Sequence, residues 1–271
     1  MKYQKNKMKI KILCKRTGLG NAICFIPQIK ELLNQGHYVY CDSDVYEQLE
    51  FACPKDDKTR PDRCYVLYLY NRKNFFKERI KYPFAEFYGY KWQFGKRYFS
   101  LGYKKAINSQ QRGKDMNEVE MNNQLVPCDI HLFSLPGHSP EIKKIALLTS
   151  NKKGKYYLRW IELAEKLKLK GWNVVVYGDS HEHPDYVDTP ALSTFFKYLK
   201  TCQYYISTDN GGMHLADILG IPGIVIWGAT QENYLLNPDS IVMHWSELEP
   251  DNIIDNFKLK KYARSVKIIK K

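Results

Sequence analysis

Between Tyr205 and Asp217 the chain runs Tyr-Ile-Ser-Thr-Asp-Asn-Gly-Gly-Met-His-Leu-Ala-Asp. An apolar strand enters a turn with two glycines, and a helix begins just beyond it. Unpaired backbone N–H groups at a helix start, beside glycines that admit a ligand closely, suit an anion such as a diphosphate. Thr208 adds a hydroxyl donor, and His214, in the first helical turn, can donate to a phosphate oxygen. A strand-to-helix turn with a capping Asp would account for the glycines equally well. Gly18-Leu19-Gly20-Asn21 forms a second glycine turn after an apolar strand. It lacks the third glycine of a dinucleotide fingerprint, because Cys24 and Phe25 follow, and only Asp42 or Asp44 is placed for a ribose. Asp42-Ser43-Asp44 offers two carboxylates for general-base work, and it is also a literal D-x-D metal signature. A strand end followed by a helix cap explains that triplet as well.

These residues need elements to hold them. Lys9–Cys14 alternates polar and apolar residues as a strand does, and Asn21 is the expected N-cap of a helix over Ala22–Gln35 that Gly36 ends. A strand over His37–Cys41, a short helix over Val45–Phe51 and a strand over Cys64–Tyr70 follow. That rhythm implies a parallel sheet covered by helices. Residues 107–124 are polar and imply a helix with a loop. Pro127, Pro136, Gly137 and Pro140 punctuate the chain. A second α/β rhythm then starts. Strands are expected at Lys144–Thr149, Asn173–Tyr177, Tyr204–Ser207 and Gly223–Trp227, and helices at Leu158–Lys170, Leu192–Thr201, Met213–Leu219 and Ile253–Phe257. The expected domains are 1–138 and 139–271, with the C-terminal helix or tail able to return to the first domain.

Lys and Arg number 42 against 29 acids, a net charge of +13. That excess favours an anionic partner: nucleic acid, phosphorylated glycolipid or a membrane surface. Lysine is spread over the whole chain, so a composition that merely aids solubility accounts for part of the excess. Residues 65–105 differ: ten Lys or Arg and fifteen aromatic residues there meet only Glu78 and Glu86. The seven cysteines form no CxxC pair, so neither a disulfide framework nor a zinc site is expected. No apolar run reaches the ~20 residues of a membrane span, and the basic N-terminus lacks a signal peptide's apolar region. A cytoplasmic protein is expected.

Asp-Asn-Gly-Gly-Met-His-Leu-Ala, then Leu219-Gly220-Ile221-Pro222 and Trp227-Gly228-Ala229-Thr230, resembles the C-terminal signature of the ADP-heptose heptosyltransferase family, glycosyltransferase family 9. Gly18-Leu19-Gly20-Asn21-Ala22, with Pro27 inside the following helix, is similar to that family's first motif, and Lys155 before an aromatic residue to its lysine segment. The three matches fall in family order. The resemblance implies an α/β protein of the GT-B type: two Rossmann-like domains with a cleft between them, acceptor on the first and nucleotide-sugar donor on the second. It implies that Thr208, Asp209, Asn210, Gly211, Gly212 and His214 hold the diphosphate and sugar, that Lys155 neutralises phosphate charge, and that Ser150 and Asn151 add polar contacts. Glu182 would face the ribose or base. It further implies an inverting, metal-independent transfer with no cofactor beyond the nucleotide-diphosphate sugar as co-substrate.

One position departs from the family pattern. The first motif ends there in Asp, the base for the acceptor hydroxyl, whereas this chain has Asn21, and an amide cannot take that proton. Asp42 or Asp44 could supply the base, the acceptor could be activated enough to need little help, or the chain could be a catalytically degenerate nucleotide-binding GT-B protein. Gly18, Gly20, Lys91, Trp92, Lys96 and Arg97 are the expected acceptor contacts, aromatic rings stacking on sugars or bases and cations meeting phosphates. An aromatic core with lysines at its surface accounts for part of the same segment. Two acceptors fit: a phosphorylated lipopolysaccharide or related glycan, and DNA carrying a hydroxylated base.

Overall fold

The computed structural model describes residues 7–56, 58–94, 97–99, 102–107, 118–129, 139–150, 157, 159–189, 191–227, 240–244 and 249–259. The chain divides into two compact units, Met1–Leu132 and Phe133–Lys271. The expected boundary at 138/139 touches residues 130–138, which lie outside the described residues.

In the first unit the order is β1 (Lys9–Leu13), α1 (Leu19–Ile23), α2 (Ile26–Asn34), β2 (Tyr38–Cys41), α3 (Val45–Gln48), β3 (Arg63–Val66), α4 (Arg72–Lys81), β4 (Glu86–Tyr90), the hairpin strands β5 (Trp92–Phe94) and β6 (Arg97–Phe99), β7 (Lys105–Ile107) and α5 (Glu118–Asn123). Five strands form a parallel sheet ordered β2-β1-β3-β4-β7, with Ile12 opposite Cys41 on one side and Tyr65 on the other. The polar–apolar alternation of β1 does not put its lysine in water. Helices cover both faces of a parallel sheet, so Lys11 is fully buried with Ile10, Ile12 and Leu13. Its ammonium meets the Glu78 carboxylate of α4 at 3.1 Å and lies over the Tyr82 ring. Burial alone would lower the Lys11 pKa, but the adjacent carboxylate and its hydrogen bond leave it above the usual lysine value.

The second unit contains β8 (Lys144–Thr149), α6 (Trp160–Leu169), β9 (Asn173–Gly178), α7 (Leu192–Leu199), β10 (Tyr204–Thr208), α8 (Gly211–Ile218), β11 (Gly223–Trp227), β12 (Ile241–His244) and α9 (Pro250–Leu259). Its parallel sheet is ordered β12-β11-β10-β8-β9. Trp160, Leu163, Ala164 and Leu167 of α6 recur at helical spacing and bury one face against Ile145, Leu147, Val174 and Val176. Ile253 and Ile254 place α9 in that same core, and Lys166 pairs with Asp251 at 2.6 Å. The tail from 260 onward lies outside the described residues. All seven cysteines are free thiols, six of them buried.

Two expectations are corrected. The helix expected over Ala22–Gln35 is two helices, broken at Cys24–Phe25, with Pro27 in the first turn of the second. Asn21 is not an N-cap: Gly18, at φ 89°, caps α1, and Asn21 lies within it. The helix expected within the polar segment 107–124 is α5, Glu118–Asn123; β7 takes Ile107, and 108–117 lie outside the described residues.

Candidate functional site

In an open parallel sheet, ligands bind beyond the carboxyl ends of the strands, where the winding reverses. In the second unit the chain passes from β8 to β9 on one side and reaches β10 on the other, so the reversal lies between β8 and β10. The loop after β8 begins at Ser150, and the loop after β10 holds Asp209 and Asn210. Two residue groups far apart in sequence therefore meet at one sheet edge. Asn210 joins them: its Nδ2 donates to the Leu148 carbonyl of β8 at 3.0 Å. Its Oδ1 accepts the Met213 N–H at 3.0 Å, which makes Asn210 the N-cap of α8. The helix accordingly starts at Gly211, two residues before the expected Met213.

By position, the N–H groups of Gly211 and Gly212 have no acceptor inside the helix. Asn210, Gly211, Gly212 and His214 are all partly exposed at this helix start. Asp209 and Ser150 are buried beside it. Thr208 departs from expectation. It is fully buried, and its hydroxyl is closed off from solvent with no hydrogen-bond partner among the described residues. Gly212 has a reason of its own: an added Cβ would lie 3.1 Å from Asn210 Oδ1 and 3.3 Å from Phe195 Cζ. On the far side of β8, Glu182 is exposed in the loop after β9. Thr149 ties that loop down, accepting the Ser180 N–H and donating to the Tyr177 carbonyl, both at 3.1 Å. Asn151 and Lys155 lie outside the described residues.

The first unit has the same construction, with its reversal between β1 and β3. Gly18 and Gly20 lie in and just beyond the loop after β1. Asn21 is buried, and its Nδ2 donates to the Thr17 carbonyl at 2.6 Å and the Tyr68 carbonyl at 3.2 Å, bridging the two loops. Asp42 is buried too. Its Oδ1 accepts the N–H groups of Cys14 and Lys15 at 2.8 and 2.9 Å, and its Oδ2 accepts the Tyr70 hydroxyl at 2.8 Å. Burial raises the Asp42 pKa, and those three bonds oppose the rise. The D-x-D triplet is thus a loop clamp followed by a helix start, since Asp44 is the exposed cap position of α3 and accepts from Gln48. Among the described residues no group of three His, Cys, Asp or Glu side chains is placed to hold a metal ion.

Two further residues of this edge were not foreseen. Arg16 and Leu69 face solvent from the loops after β1 and β3, both left-handed at φ 67° and 62°. For residues with a Cβ that conformation costs about 1 kcal/mol or more each, and no residue type announces it in the sequence. Lys91 is half-buried after β4, and its N–H donates to the Ile107 carbonyl. Trp92 and Arg97 lie on the β5–β6 hairpin, Trp92 opposite Phe99 and Arg97 opposite Phe94; Lys96 lies outside the described residues.

Asn21 yields a direct test. A carboxylate in its place would face two carbonyl oxygens instead of donating to them. Asn21→Asp is therefore expected to lower stability by about 2 kcal/mol at neutral pH and to recover part of it as the acid is protonated. Denaturant unfolding at pH 7 and pH 4 measures this; a variant as stable as the parent at pH 7 would count against the bridge.

The architecture has counterparts among solved structures. E. coli heptosyltransferase WaaC with ADP superposes with a TM-score of 0.66 at 15% identity, over 94% of this chain and 98% of that one. The fold is GT-B. A glycosyltransferase family 9 protein from Veillonella parvula superposes on this GT-B chain at 0.59 and 13% identity, covering 96% and 90%. An alpha-glucosyltransferase in complex with UDP and a 13-mer DNA containing a HMU base does so at 0.53 and 12%, covering 94% and 91%. The sequence matches no protein-family profile and no curated protein.

Proposed function

We propose that this chain is a glycosyltransferase that moves a sugar from a nucleotide-diphosphate donor to a hydroxyl of an anionic acceptor, with inversion and without a metal. The observation that supports the reading is the partly exposed start of α8 at the β8/β10 reversal, with Gly211 and Gly212 as its first residues and His214 in its first turn. In the reaction the acceptor oxygen bonds to the anomeric carbon as the bond to the diphosphate breaks, and the acceptor proton passes to a base. Negative charge grows on the leaving diphosphate. The helix amides, His214 and Lys155 offset it, as donors aimed at developing charge do. Asn151 and Glu182 would contact the rest of the donor.

Asp42 fits the base poorly, because both its oxygens already accept hydrogen bonds. It acts as a positioning residue for the loop after β1. Asp44 is the expected carboxylate that remains exposed. The acceptor is a phosphorylated glycan or a hydroxylated base in DNA, the latter in keeping with the DNA held by the structurally similar alpha-glucosyltransferase. A thermal-shift screen against UDP-, GDP-, ADP- and CMP-sugars, followed by transfer assays on DNA and on lipopolysaccharide, tests the reading. His214→Ala is expected to weaken binding of the preferred nucleotide about tenfold or more, the worth of a hydrogen bond to a charged group. Unaltered affinity would remove the proposed donor site.

A second reading is favoured by Asn21. A residue locked as a donor to two carbonyls cannot serve as base, and it suits a protein that binds the nucleotide-sugar without transferring it. Intact nucleotide binding with neither transfer nor hydrolysis would support this alternative.

A further inference from the structure

Helix α4 separates its residues sharply. Phe75 points inward, stacked on Tyr103 with ring centroids 5.0 Å apart and edge-on to Phe87 at 5.5 Å. Glu78, the helix's one acid, is also turned in, onto Lys11. Arg79 folds back along the helix end, donating to the carbonyls of Pro83 and Ala85 and lying over the Phe87 ring. What remains outside is Arg72, Lys73, Phe76, Lys77, Ile80 and Lys81, continued by Phe84. The apolar members are well exposed: Phe76 at 51%, Ile80 at 80%, Phe84 at 98% and, before the helix, Leu69 at 65%. No residue exposed between Leu69 and Phe84 is acidic.

We propose that this face docks on an anionic lipid bilayer surface. Four cations alternate with Phe76 and Ile80, themselves at i, i+4 spacing, along the ~15 Å helix, and Phe84 follows in the turn just past its end. Large apolar groups left in water along a continuous stripe mark an interaction surface rather than chance exposure. A polyanion such as DNA would use the cations but gains little from Ile80 and Phe84. A bilayer interface uses both, since apolar side chains enter the acyl boundary while lysines meet anionic headgroups. The only acid of the helix that could oppose this is neutralised beneath by Lys11. This surface is independent of the glycosyl-transfer reading, because α4 contributes no residue to the donor loop.

The test is co-sedimentation of the full chain with phosphatidylcholine vesicles containing or lacking phosphatidylglycerol, beside a duplex oligonucleotide binding assay. The parent should bind the anionic vesicles and not the purely zwitterionic ones. Each lysine near an anionic leaflet contributes about fivefold in partitioning, so Lys73→Ala/Lys77→Ala/Lys81→Ala should lose roughly a hundredfold. Phe76→Ser/Ile80→Ser/Phe84→Ser should lose about tenfold or more, without change in oligonucleotide binding. All six positions are exposed, and unchanged circular dichroism and melting temperature verify that the variants fold. Absence of binding to anionic vesicles would overturn the proposal. So would an apolar triple variant that binds them as the parent does, or a lysine variant that loses the oligonucleotide but not the vesicles.

Discussion

Replacing Glu78 by Ala is expected to lower the free energy of unfolding by about 3 kcal/mol, the cost of leaving a buried charge without its partner. Lys11 lies in the middle of the sheet and is fully buried. In the parent its ammonium is stabilised by a carboxylate 3.1 Å away on α4. Because that pairing raises the folded-state pKa of Lys11, its contribution is fully present below the unfolded lysine value of 10.5 and is lost as pH rises through the higher folded value. In the variant the support of Glu78 is gone and burial drives the proton off earlier than in the parent, so the difference from the parent should shrink with increasing pH. Denaturant titrations at pH 7 and pH 10 measure it. Exchanging both partners for Met and Leu should cost far less, because no charge is then stranded. A Glu78→Ala variant as stable as the parent would show that the ion pair contributes nothing.

Asp42→Ala is expected to cost more, about 3–5 kcal/mol, because it strands two N–H groups and the Tyr70 hydroxyl at once. Asp42→Asn keeps an oxygen for the amides and should cost much less. The sign of the pH dependence separates the Asn variant from the parent. With its folded pKa raised by burial, the Asp42 carboxyl contributes fully below the unfolded value of 3.8, and that contribution is lost as pH rises through the folded value. The Asn variant has no such loss, so it should gain on the parent from pH 4 toward neutrality. Parallel unfolding curves across that range would exclude a raised pKa. The Ala substitution should also loosen the loop holding Arg16, visible as faster amide exchange at Cys14 and Lys15.

Much of the second unit was legible in its residues. Strands such as Lys144–Thr149 and Gly223–Trp227 stand out because a parallel sheet covered on both faces leaves unbroken apolar runs. The first unit was harder to read. β4 and β7 lie in a segment rich in aromatics and lysines, where Arg63, Lys104 and Tyr88 gather on Glu86 and mask the apolar alternation. Strand β12 is only four residues long. Asn21 has the residue type of a cap, but the turn before it depends on left-handed backbone at Arg16 and Gly18, an arrangement that residue types barely encode. Pro27 did carry a signal, since a proline in a first helical turn marks a new start. At the donor loop the residue types were informative, but the burial of Thr208 was not visible. Nor was the bond from Asn210 to Leu148, which depends on two strands distant in the sequence becoming neighbours.

The crowding around Gly212 has a consequence for descent. A side chain there would press on Asn210 and Phe195, so the packing favours glycine whether or not a sugar is ever moved. Lineages that had abandoned catalysis would keep the glycine and drift first at His214, whose side chain is not needed for that packing. On the proposed donor role of His214, the histidine is therefore the position to compare in surveys of related chains.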